Sequence, residues 1–102
     1  MYQLVIQFPL RQPMPFPDEF ETLTALESQF REFDGDGFEV DGHDMGSGQL
    51  NIFIRTSHPR VAFETVKPYL PSDRAWCAAF RSLDSELYHP LAPAGLGDFK
   101  VK

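Results

Sequence analysis

The chain has 102 residues, with 9 Lys and Arg against 15 Asp and Glu, a formal net charge of −6 at pH 7. That length holds one small domain, and 42% hydrophobic with 24% charged residues is the balance of a globular chain, not a disordered one. The acidic balance argues against nucleic acid as a partner, since phosphate neutralisation needs clustered Lys and Arg, and leaves a basic protein partner or a metal ion.

Tyr2 to Phe8 alternates and predicts a strand, with Tyr2, Leu4, Ile6 and Phe8 on one face and Gln3, Val5 and Gln7 on the other. Pro9 ends it, and the Pro-rich stretch to Pro17 reads as an extended connector. A helix follows: Asp18 and Glu21 have capping-box spacing, and Phe20, Leu23, Leu26, Phe30 and Phe33 form one apolar stripe. Glu19, Glu27, Gln29 and Arg31 are assigned to its wet side, and the Asp34–Gly37 segment stops it.

A hairpin comes next. Phe38, Val40 and Gly42 are expected inward, with Glu39, Asp41 and His43 outward. Across the loop from Asp44 to Gly48, Leu50, Ile52 and Ile54 point inward, and Asn51, Phe53 and Arg55 outward. The second helix starts near Ser57-His58-Pro59, with Pro at its first position. Ala62, Val66, Tyr69 and Leu70 form its inner stripe, Phe63 lies at the margin, and Pro68 and Pro71 stop it. Ala75 to Ser82 is a strand with Trp76, Ala78 and Phe80 on one face, and Leu87 to Leu91 adds a short fifth. The tail after Pro90 is rich in Pro and Gly, with Phe99 and Val101 as anchors.

The order βαββαβ predicts an α+β, ferredoxin-like sandwich. It places an antiparallel sheet of order 4-1-3-2 under two helices on one face, with residues 1–90 as the domain and 91–102 as a tail. The expected core is Leu4, Ile6, Phe20, Leu23, Leu26, Phe30, Val40, Ile52, Ile54, Val66 and Phe80. The other sheet face is expected open, which makes it the place to look for function.

Pairing the hairpin evenly about its loop sets His43 opposite Gln49, Asp41 opposite Asn51 and Glu39 opposite Phe53. Asp41, His43 and Asp44 then offer two carboxylates and an imidazole within four residues. That set suits a divalent metal, or His43 as an acid/base oriented by Asp41. Asn51, Arg55 and Ser47 are candidate ligand-binding residues. Phe53 and Val5, at the centre of an uncovered face, are candidate interface residues. The plainer reading of the loop is turn geometry, with Asp44 bonding its own backbone, and it stays open beside the functional one.

The one cysteine, Cys77, has no Cys partner for a disulfide or a cysteine-only zinc site, and no His or Lys nearby to activate it. No apolar run approaches the ~18 residues of a membrane span, and Met1 to Leu10 lacks the features of a signal peptide. A cytoplasmic setting is expected. The segment VDGHDMGSGQLNIFI, residues 40–54, resembles a family of small uncharacterised bacterial proteins, with a weaker likeness at HPRVAF, residues 58–63. The resemblance implies no activity. The expected function is a small binding or protein-interaction domain, self-associating and suited to a basic partner. Its competitors are a dimeric enzyme with His43 as acid/base and a metal-binding regulatory module.

Overall fold

The computed structural model describes residues 1–10, 17–46, 48–93 and 99–101. The chain runs β1 (Tyr2–Pro9), α1 (Pro17–Phe30), β2 (Phe38–Gly46), β3 (Gln49–Thr56), α2 (Pro59–Val66), β4 (Cys77–Ser82) and β5 (His89–Ala92). The fold is α+β, with a five-stranded antiparallel sheet of order β2-β3-β1-β4-β5. β5 runs across the boundary drawn at residue 90.

Period-two alternation in β1 turns Leu4, Ile6 and Phe8 to the helices, where they meet Leu50, Ile52 and Ile54 of β3. Leu23, Leu26 and Phe30 of α1 and Ala62, Phe63 and Val66 of α2 close this core from above. Of the expected core, Phe20 and Phe80 are only partly buried. Phe20 packs edge-on to His43, and Phe80 stacks on His89 of β5, so both line the rim.

α1 is followed by a 3-10 turn, Arg31–Phe33, before Asp34 leaves helical geometry. The expected cap residue Asp18 has a side chain outside the described set, as do the connector residues 11–16. In α2 the inner stripe is Ala62, Phe63 and Val66, while Tyr69 is exposed. Pro68 converts the last turn to 3-10 geometry over Lys67–Tyr69, which swings Tyr69 away from the core and onto Phe33. Among the described residues no helix is long and apolar enough to cross a membrane.

Two helical residues assigned to the wet side are buried, Glu19 and Glu27. Buried carboxylates need partners, and each has one from a distant segment. Arg74, ahead of β4, stands 3.1 Å from Glu19, and His43 of β2 stands 2.8 Å from Glu27.

The face opposite the helices is not open. Phe99 folds back onto Val5 and Ala79 to form a second, smaller cluster, flanked by Phe53, Cys77, Tyr88 and Val101. Tyr88 and Phe99 rings lie 5.0 Å apart. The backbone follows: Gln7 Nε2 donates to the Lys100 carbonyl at 2.8 Å. A polar row beside the cluster holds this contact, because Gln7 Nε2 also donates to Asn51 Oδ1 at 2.9 Å, and Asn51 is fully buried.

Candidate functional site

The hairpin does not pair evenly about its loop. Glu39 faces Arg55 and Val40 faces Ile54, but the next pair is Gly42 with Phe53, leaving Asp41 as an extra residue. This is a β-bulge, and Gly42 carries its strain at φ +122°, where a side chain would be disfavoured. One inserted residue reverses every side chain beyond it. His43 therefore pairs with Ile52 and Met45 with Leu50, on the helix side, while Asp44 pairs with Asn51 on the other side.

The expected trio is thereby divided. Asp41 sits at the bulge, exposed; His43 and Asp44 project from opposite faces. Among the described residues no three His, Cys, Asp or Glu side chains come together to hold a metal ion. Asp41 does not orient His43; Glu27 does, from α1. Glu27 Oε1 lies 2.8 Å from His43 Nδ1, and its Oε2 lies 3.4 Å from Arg31 Nη2. Arg31 also donates to the Val40 carbonyl at 3.2 Å, and Asp34 accepts from the Val40 amide at 2.9 Å. With a carboxylate against Nδ1, that nitrogen carries the hydrogen, and Nε2 is the acceptor of the neutral ring. The His43 side chain is 32% exposed, against 9% for Glu27, so a buried anion steers an accessible imidazole.

The other candidates separate in the same way. Asn51 is fully buried in the polar row with Gln7 and Gln49, so its amide is spent on structure. Arg55 is exposed between Glu39 and Gln3. Ser47 lies outside the described residues. Val5 is fully buried under Phe99, and Phe53 is half-buried at the edge of the same cluster, so this face is covered at Val5 and not open as expected.

Cys77 belongs to this second face. It is half-buried, its Sγ lies 3.4 Å from Gln7 Oε1, and burial pushes its thiol pKa up. The thiolate is the reactive form, so alkylation of Cys77 is expected to run several-fold slower than that of a free cysteine at pH 8. It should recover as pH rises. A Phe99→Ala chain, lacking the ring that covers this cluster, should react faster at every pH; equal rates for the two chains would contradict the packing of the C-terminal residues.

No family model matches the chain, and neither a curated protein nor a solved structure matches it.

Proposed function

We propose that this chain is a small protein-interaction module that takes a basic, extended segment of a partner along the outer edge of β2. The framework it implies is a ferredoxin-like βαββαβ unit extended by β5 and the returning C-terminal residues. The strand order and the placement of both helices on one face support that framework.

The observation that carries the reading is the state of β2 beyond Val40. β2 is at the edge of the sheet. Val40 is closed off by Asp34 and Arg31, but beyond the ladder with β3, residues 41–46 make no backbone hydrogen bond to any described residue. Such an edge offers donors and acceptors to an added strand. Asp41 and Asp44 are exposed along it, in a chain of net charge −6, so Lys and Arg on the incoming strand are favoured and steered in. The like charge of a second copy disfavours self-pairing at this edge. Self-association through Val5 and Phe53 would require Phe99 to leave them.

Titration of the isotope-labelled full chain with a seven-residue alternating Lys-Val peptide should shift the amide signals of residues 41–46. An Asp41→Lys, Asp44→Lys chain should bind about tenfold or more weakly, and affinity should fall with added salt. Shifts confined to other strands, or equal binding of a Glu-Val peptide, would refute the reading.

The second reading, His43 as an acid/base, is favoured by the 2.8 Å contact with buried Glu27, the arrangement by which a carboxylate fixes the tautomer of a catalytic imidazole. The clefts of 490, 320 and 240 Å³ formed by described residues lie elsewhere.

A further inference from the structure

We infer that the cleft between the start of α2 and the β1–β4 pair is a binding site for a small organic anion with an apolar body. The cleft is open to solvent, has a volume of about 320 Å³ and is lined by Tyr2, Ser57, His58, Pro59, Arg60, Val61 and Phe80. That volume is in the range of small-molecule sites.

Its chemistry departs from that of the rest of the chain. Against a net charge of −6, the ionisable side chains lining this cleft are cationic or neutral: Arg60, His58 and Tyr2, with no carboxylate. Arg60 is exposed, and its contact is with an aromatic ring. Its guanidinium lies over the Phe80 ring, 5.5 Å from the centroid. Phe80 is itself fixed, stacked at 5.1 Å against His89 and met edge-on by Tyr2 at 5.9 Å. The aromatic group therefore positions Arg60 while leaving its charge uncompensated by any Asp or Glu within ion-pair distance among the described residues. A guanidinium in that state is a ready donor to a carboxylate or phosphate, which it can grip with two parallel N–H bonds.

The apolar part of the ligand is specified by the walls. Val61 is 64% exposed and Tyr2 is 36% exposed, and both border the cleft beside Pro59. An exposed Val at the mouth of a cationic cleft gains from an apolar surface laid against it. The positive end of α2 adds to the same field, and the His58 side chain at its cap is not taken up by a capping hydrogen bond. None of these residues belongs to the β2 edge, so the site stands or falls independently of the proposed peptide interaction.

The test uses the full chain and four probes: phenyl phosphate, benzoate, inorganic phosphate and benzyl alcohol. Phenyl phosphate or benzoate, added up to about 10 mM, is expected to shift the His58 ring and the Arg60 and Val61 amide signals saturably. Inorganic phosphate and benzyl alcohol should each bind at least about tenfold more weakly, because each satisfies only half of the cleft. Arg60→Gln should weaken the binding of the better probe about tenfold or more, while Lys67→Gln, which removes a cation from the far end of α2, should leave it unchanged. Circular dichroism and thermal unfolding confirm that both variants fold. No saturable shift with either aromatic anion would overturn the inference, as would equal binding of inorganic phosphate or equal affinity of the Arg60→Gln chain.

Discussion

Replacing Arg74 with Met is expected to destabilise the fold by about 3–5 kcal/mol, the range for removing one partner from a buried ion pair. Arg74 ties three segments together. Its Nη1 stands 3.1 Å from Glu19 in the first turn of α1, and its Nη2 donates to the Pro9 carbonyl at the end of β1, 2.7 Å away. Its guanidinium lies 5.6 Å from the Phe8 ring centroid. The side chains are 12% and 6% exposed, so water screens the pair weakly. Met replaces the hydrocarbon stem but not the charge, and the Glu19 carboxylate stays buried without Arg74. The loss is that of one charged partner of a buried carboxylate, not of a surface contact. A Glu19→Leu, Arg74→Met chain removes both charges and should recover most of the loss, because an apolar pair of similar volume suits a buried site as well as an ion pair does. Urea unfolding followed by circular dichroism measures both. A loss below about 1 kcal/mol in the single variant would place the pair with exposed ones, which contribute little.

The same residues show where the sequence was readable. The order of strands and helices was legible because alternation in β1 and β3 and the apolar stripe of α1 are strong periodic signals, and nearly all the expected core residues are buried where they were placed. Of the residues expected on the wet side of α1, Gln29 and Arg31 are exposed, but Glu19 and Glu27 are buried, against the rule that Glu faces water. Their spacing held the correction: Glu19, Leu23 and Glu27 recur at four-residue intervals, so the two carboxylates share the stripe of a fully buried Leu. Their partners, Arg74 and His43, were not legible, since nothing local in sequence couples residues so far apart.

The Asp41, His43 and Asp44 trio is divided for a different reason. Alternation through Phe38–His43 looks unbroken, and a bulge is invisible in a pattern of alternating residue types. Gly42 was the one signal available, because glycine within a strand often marks such a kink. Reading Asp41 as the inserted residue turns His43 inward, separates it from Asp44, and brings it to α1. The C-terminal anchors Phe99 and Val101 are readable as large apolar residues in a tail rich in Pro and Gly, but the face they cover is not. Val5 was the hint there: an apolar residue flanked by Gln3 and Gln7 on a central strand asks for a cover, and the chain itself supplies one.

Ile52→Ala is expected to cost about 2–5 kcal/mol, the range for truncating a fully buried aliphatic side chain. Ile52 is fully buried at the middle of β3, with Ile6 of β1 on one side and His43 of β2 on the other. Helices α1 and α2 close the same cluster above it. A cavity at this position has strand backbone on both flanks, which cannot collapse to fill it, so the cost should fall in the upper half of the range. Val61→Ala, at a side chain exposed on α2, removes two carbons of apolar surface from solvent contact and should change stability by less than about 0.5 kcal/mol. The pair of variants separates burial from side-chain type. The Ile52→Ala cavity should also loosen the strand pair that carries His43, and amide exchange at residues 43–45 should speed up relative to β4. A loss below about 1 kcal/mol, or exchange that rises equally throughout the sheet, would mean that Ile52 is not the centre of the packing between β2, β3 and the helices.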